Sequence, residues 1–270
     1  RKKPGTEGEA IITWYYGQGT LYDSANSKGF YDPSVIGDGE SYPVKNWGAA
    51  LNVNKGANGF IGENLSIENS YNIYYTQEEL TDITGIDPDV NNSNFKRLDW
   101  IKDQIAAGKS DDYINQYLQS RKEIPGYTVL KADKKESSPR ERSAAFYSSA
   151  DMIQMIGCDI ISTQDTMGIN GGRIYFENSR IGGTTDYICG SATAVFNNCE
   201  LYTNAVPLQS EGATVTAPSN PIESDGYLFY NCRITGSKNS GQGTLGRPWS
   251  GVNASANYIN TEIGYTGGST

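Results

Sequence analysis

Ile174-Tyr175-Phe176-Glu177-Asn178-Ser179-Arg180-Ile181 is one copy of a degenerate repeat. The pattern returns at Val195-Phe196-Asn197-Asn198-Cys199-Glu200-Leu201, at Leu228-Phe229-Tyr230-Asn231-Cys232-Arg233-Ile234 and at Tyr258-Ile259-Asn260-Thr261-Glu262-Ile263. An earlier copy lies at Leu65-Ser66-Ile67-Glu68-Asn69-Ser70 and a looser one at Ile156-Gly157-Cys158-Asp159-Ile160. Each copy reads as a short strand, a tight corner at Asn, and a second short strand. The corner asparagines Asn178, Asn198, Asn231 and Asn260 are spaced 20, 33 and 29 residues apart. Recurrence in this range marks a solenoid. β-branched and aromatic strands between Gly and Asn turns make it a β-solenoid. One coil cannot bury its apolar face alone, so coils must stack into a continuous core. Asn tolerates the left-handed backbone of a tight corner, and its amide can bond to the coils above and below. The predicted fold is all-β, a parallel β-helix. A β-sandwich with irregular hairpins is the rival, but it gives no reason for the recurring Asn-Ser and Asn-Cys corners.

Working outward, residues 76–140 break the pattern. Leu98, Ile101 and Ile105 recur at helical spacing and stop near Gly108. Ser110 can cap a second helix carrying Tyr113, Ile114, Tyr117 and Leu118. The chain therefore reads as a single domain over 1–270, with a helical insertion centred on about 80–125. The insertion is either a wall beside a groove or peripheral decoration. The stretch before residue 64 reads as strands and long loops. The opening Arg1-Lys2-Lys3-Pro4-Gly5 has neither methionine nor an apolar segment, so targeting information is expected to lie outside this sequence.

Composition narrows the chemistry. The chain has no histidine, so a histidine-based serine triad is excluded. Four cysteines, Cys158, Cys189, Cys199 and Cys232, form no C-x-x-C pair, which argues against zinc and for buried free thiols. A net charge of −9 argues against nucleic acid. It would also repel a fully ionised polyanion, yet tolerate one whose carboxylates are esterified. No stretch reaches the roughly 18 apolar residues of a membrane helix. Gly108-Lys109-Ser110 is not a phosphate loop, because position 103 is Asp where the upstream Gly belongs.

Hydrolytic chemistry must then run on carboxylates, amides and arginine. Asp165 and Asp186 lie 21 residues apart, in Gln164-Asp165-Thr166 and Thr185-Asp186-Tyr187-Ile188-Cys189-Gly190. One coil of that length returns the chain to nearly the same azimuth on the next strand, about 4.8 Å away. Two neighbouring carboxylates cannot ionise equally easily, so one becomes an acid and the other a base or nucleophile. Arg247, held between Gly246 and Pro248, is the candidate to select which stays charged. Gln164 offers an amide donor for an oxyanion. Trp249 and Tyr187 offer flat faces for sugar rings. The same spacing also fits a corner ladder or a solvated edge, and Arg-Pro-Trp also fits packing.

These motifs resemble the pectin methylesterases, the pectinesterase family. Gln164-Asp165-Thr166 is similar to that family's Q-D-T. Gly183-Thr184-Thr185-Asp186-Tyr187-Ile188-Cys189-Gly190 is similar to G-T-x-D-F-I-F-G. Leu245-Gly246-Arg247-Pro248-Trp249 matches L-G-R-P-W, and Thr214-Val215-Thr216-Ala217 sits where the family often carries V-T-A. The resemblance runs from about residue 8 to 264 and is densest from 141 to 264. It implies a right-handed parallel β-helix that hydrolyses C6 methyl esters of homogalacturonan, giving methanol. Asp186 would be the nucleophile, Asp165 the general acid and then base, Gln164 the oxyanion donor, and Arg247 the residue that orients Asp186. Trp249 and Tyr187 would line sugar subsites. No metal or organic cofactor is implied. The implied partner is methyl-esterified pectin, with no nucleic acid or membrane, and the implied protein is a secreted monomer. Three departures stand out. Arg142 replaces the Gln that supplies a second oxyanion donor in the family. Cys189 replaces a Phe beside the site. The family's N-terminal G-x-Y-x-E is not visible. A lyase, a polygalacturonase, or a non-catalytic polysaccharide-binding β-helix are the alternatives.

Overall fold

The computed structural model describes residues 11–17, 20–22, 24, 48–71, 77–86, 104–110, 113, 142–204, 213–236, 243–249 and 254–264. Their strands form three parallel sheets, and successive coils add one strand to each. One coil runs β10 (Met167–Ile169), β11 (Arg173–Glu177) and β12 (Arg180–Gly183). The next runs β13 (Ile188–Gly190), β14 (Thr193–Asn197) and β15 (Glu200–Thr203). After it come β16 (Thr214–Pro218), β17 (Tyr227–Tyr230) and β18 (Arg233–Gly236). Each strand pairs in parallel with its counterpart one coil on, as Met167 with Ile188, Phe176 with Phe196 and Ile181 with Leu201. This is a parallel β-helix, and the parallel pairing disposes of the sandwich, which is built from antiparallel sheets. A short antiparallel pair, β2 (Thr20–Tyr22) with β6 (Ile83–Ile86), stands apart from the three sheets.

The asparagine corners are what the repeat predicts. Asn178, Asn198, Asn231 and Asn260 all have φ between 49° and 53°, the left-handed region. Their amides ladder from coil to coil. Asn198 Nδ2 donates to Asn178 Oδ1 at 2.6 Å, and Asn260 Nδ2 donates to Asn231 Oδ1 at 2.5 Å. The corner lets the chain turn from the second sheet to the third without a loop. Strand lengths then fix which side chains point inward. β14 alternates half-buried and buried residues, placing Ala194 and Phe196 inside.

The inward column is aromatic. Phe176, Phe196, Phe229 and Tyr258 stack with ring centroids 4.7, 4.6 and 4.6 Å apart, one ring per coil. Each buried Phe contributes roughly 1.5–3 kcal/mol from removal of apolar area, and each stacked pair about 0.5–1.5 kcal/mol more. Cys158, Cys189, Cys199 and Cys232 are buried free thiols.

The interruption after β5 (Ser66–Asn69) contains a short helix at Gln77–Asp82. A helical turn at 104–106 ends where Gly108 takes φ +73°. Ser110 Oγ accepts from the Tyr113 amide at 3.2 Å, the cap the sequence suggests. Leu98, Ile101, Ile114, Tyr117 and Leu118 lie outside the described residues. The chain departs from one particular corner at Tyr71 and is back in the helix by Arg142. It is the corner between the third strand of one coil and the first strand of the next, and one coil further on it carries Asp165.

Candidate active site

The functional corner is built by two stacked turns. Residues 162–166 join β9 (Asp159–Ile161) to β10, and residues 184–187 join β12 to β13. Asp165 N–H donates to Thr185 O at 3.0 Å, and Thr184 N–H to Thr163 O at 2.9 Å, so one turn lies on the other. The Met167–Ile188 register carries the same 21-residue offset as the two aspartates. Asp165 and Asp186 therefore occupy equivalent places on neighbouring coils. Both adopt left-handed backbone, with φ of 53° and 50°. That conformation is costly for a residue with a Cβ and is held only where its surroundings insist on it.

Those surroundings are close-fitting. Thr166 Oγ1 donates to Gly182 O at 3.0 Å, tying the first turn to the strand below the second. A Cβ on Gly183 would stand 2.2 Å from Tyr187 Cβ and 2.4 Å from Thr166 Oγ1, so only glycine lets the turns touch. Underneath runs a buried hydroxyl chain. Ser143 Oγ and Thr163 Oγ1 are 2.6 Å apart, and Ser162 Oγ donates to Asn69 O at 3.0 Å. A β-helix corner would otherwise leave backbone carbonyls unpaired at this depth.

Asp186 is 5% exposed and is gripped by Arg247, whose Nε donates to Oδ1 at 2.9 Å and whose Nη2 donates to Oδ2. This is a bidentate fork, the strongest geometry a carboxylate can find in a side chain. Asp186 in turn raises the Arg247 pKa. Arg247 reaches across because Gly246 allows it. A Cβ on Gly246 would meet Thr216 Oγ1 at 2.3 Å, and Arg247 N–H donates to Thr216 O at 3.0 Å. The guanidinium side chain remains 54% exposed, so one edge of the fork faces solvent.

Asp165 is 6% exposed, and its surroundings differ. Burial pushes its pKa up to about 6, opposed by the charge of Arg142 and assisted by that of Asp186. The two carboxylates are thus chemically unequal, as adjacent acids must be. Gln164 forms a parallel bridge with Arg142, and its Oε1 is buried without a hydrogen-bond partner among the described residues.

One expectation changes. Tyr187 is 0% exposed and packs in the core, so its ring offers no face to a sugar. The residue after a left-handed Asp turns inward to begin β13, and sequence alone does not say which side of the wall that is. Cys189 is buried but alternates with the core residue Ile188 along β13, its thiol donating to Met167 O at 3.3 Å, and the charges of Asp165, Arg142, Asp186 and Arg247 all act on it, so the departure from Phe lies beside the aspartate pair. Burial, with the Asp165 charge next, holds that thiol well above its ordinary pKa. Trp249 remains half-buried beside Arg247 in sequence. The feature that the sequence did not reveal is the Arg142 side chain, whose Nε donates to Asp165 Oδ2 at 3.1 Å. Among the described residues no cluster of three or more acidic or thiol groups could hold a metal ion.

Comparison with known proteins agrees with this geometry. Residues 133–265 match the family model described as Pectinesterase. A putative pectinesterase 11 of Arabidopsis thaliana is 30% identical over 195 residues, covering 62% of this chain and 53% of the relative. The structure of rice weevil pectin methyl esterase superposes with a TM-score of 0.62 at 19% identity, covering 96% of this chain and 61% of that one. A pectin methylesterase in complex with hexasaccharide VII superposes at 0.55 and 19% identity, covering 97% of this chain and 64% of that one. At this identity the structural likeness is one of fold. The chain spans about half the length of the curated relative and under two thirds of either solved structure. Residues 133–265, just under half of the chain, are thus similar to the pectinesterase family, and the β-helix is the fold of the two solved pectin methylesterases.

Proposed function

We propose that the protein hydrolyses C6 methyl esters of homogalacturonan, releasing methanol and leaving free galacturonate carboxylates on an uncut polymer. The observation that carries this reading is the unequal aspartate pair. Asp186 lies in a bidentate arginine fork, and Asp165 is buried one coil away with a pKa near 6. A nucleophile must be ionised and a general acid must hold a proton, and these two environments separate the roles.

In the first half-reaction an Asp186 oxygen attacks the ester carbonyl carbon, and the carbonyl electrons move onto oxygen. Gln164 supplies an amide N–H to stabilise that oxyanion. Collapse breaks the bond to the methoxy oxygen, Asp165 gives that oxygen its proton, and methanol leaves. The galacturonyl group is now joined to Asp186 as an anhydride. Asp165, now a carboxylate, takes a proton from water, and the hydroxide attacks the same carbon. The anhydride opens, Asp186 is regenerated, and Asp165 is protonated again. Arg247 orients the Asp186 carboxylate for attack. The half-buried Trp249 is the remaining flat face for a sugar ring. The chemistry needs no metal and no organic cofactor. Methyl-esterified pectin suits a protein of charge −9, because esterification removes the repelling carboxylates. The proposed setting is extracellular, where that polymer lies, and the proposed state is a monomer.

The test is methanol release from highly methylated pectin, with polymer length followed in parallel. Wild type should release methanol without shortening the polymer, and Asp186→Asn should lose at least about 10³-fold in kcat. Shortening of the polymer would favour a lyase or polygalacturonase. Binding without turnover would favour a polysaccharide-binding β-helix.

A further inference from the structure

We propose that Arg142 is a positioning residue for Asp165, anchoring one carboxylate oxygen so that the other carries the proton. The inference rests on the esterase reading above and gives each aspartate its own arginine. The two arginines hold their partners differently. Arg247 engages both oxygens of Asp186. Arg142 donates through Nε to Oδ2 of Asp165 at 3.1 Å, and among the described residues no hydrogen bond falls on Oδ1. A group that must give up and regain a proton needs one oxygen unencumbered, whereas Asp186 is asked to transfer no proton.

The arginine is itself fixed. Residue 142 bridges residue 164 in parallel, Ser143 N–H donates to Gln164 O at 3.0 Å, and Ser143 Oγ lies against Thr163 Oγ1. Its side chain is 15% exposed and that of Asp165 is 9% exposed, so water screens the pair weakly. The charged and titratable groups facing Asp165 come from three other coils. Arg142 lies on the coil before, Asp186 and the Cys189 thiol on the coil after, and Arg247 beyond them. Arg142 and Arg247 favour the carboxylate, and burial and Asp186 favour the acid. Removing Arg142 strips one opponent of protonation, so the Asp165 midpoint must rise above about 6. General-acid activity is lost as pH climbs through that midpoint. The alkaline limb of methanol release must therefore move to higher pH in Arg142→Gln.

The experiment titrates ¹³C-carboxyl-labelled Asp165 by NMR in wild type, Arg142→Gln and Arg142→Lys, with Asp165→Asn assigning the resonance. The Gln variant should titrate about one unit higher, and the alkaline limb of kcat/KM should shift with it. The Lys variant keeps the charge without the planar fork. It should titrate within about half a unit of wild type yet lose about tenfold in kcat with KM unchanged. An Asp165 midpoint unchanged in the Gln variant overturns the proposal, as does a Lys variant with wild-type kcat. Should the Gln variant fail to fold by circular dichroism, the Lys variant decides by its kcat. Wild-type protein that titrates as described but releases no methanol would refute the esterase reading and leave the Arg142–Asp165 coupling intact.

Discussion

The buried carboxylate of Asp165 makes a prediction that runs against the usual behaviour of acidic side chains. Most paired aspartates stabilise a fold as pH rises, because their native pKa is depressed. Here burial outweighs Arg142, and the native pKa stands at about 6 against an ordinary 3.8. Between those values the folded chain holds a proton that the unfolded chain has released. Stability must then fall as pH rises, since the unfolded state binds fewer protons. The whole effect is about 3 kcal/mol, from roughly 1.4 kcal/mol per pKa unit. Most of it is spread between pH 4 and 7. Working above pH 5 keeps this acidic chain above its isoelectric point of about 4.7, and there the remaining loss to pH 7.5 is about 1.5 kcal/mol. The perturbation is Asp165→Asn, which removes the titration and retains the shape. Urea denaturation of both proteins at half-unit steps from pH 5 to 7.5 gives the difference in unfolding free energy. Every other titrating group is common to the two, so the slope of that difference reports Asp165. Wild type should lose about 1.5 kcal/mol relative to the Asn variant across the range. A flat difference, or a wild type that gains on the variant with rising pH, would refute the account of burial winning over the arginine.

Two further predictions concern the scaffold. Phe196 is fully buried and stacked on both sides, by Phe176 and Phe229, so Phe196→Ala should cost about 3–5 kcal/mol in urea denaturation. A cost near 1 kcal/mol would mean that the column collapses around the gap. At Asn198, with φ of 53°, Asn198→Ala should cost about 1–2 kcal/mol and Asn198→Gly clearly less, because glycine adopts the corner freely. Equal costs would assign the corner's contribution to the amide ladder instead of the backbone.

These residues also show where reading a sequence succeeds. The repeat was legible because stacking forces every coil to solve the same problem, so Asn178, Asn198, Asn231 and Asn260 recur at the same corner. The pairing of Asp165 with Asp186 was legible for the same reason, since a 21-residue offset in a coil is a spatial neighbourhood. The reach of Arg247 to Asp186 followed from a motif whose glycine proves to be required by Thr216. Tyr187 was misread as a surface ring because a single residue decides whether a side chain follows the corner outward or the strand inward. Arg142 could be placed by alignment with a family glutamine, but its partner could not.

The sequence by itself determined the coil, its corners and the stacking of one aspartate over another, because these depend on local conformation repeated along the chain. Only the tertiary structure decided which face each side chain takes and how deeply Asp165 and Asp186 are buried. It also decided which arginine holds which carboxylate. Those properties depend on distances between coils and on the exclusion of water, and so does the raised proton affinity of Asp165 on which the proposed chemistry draws.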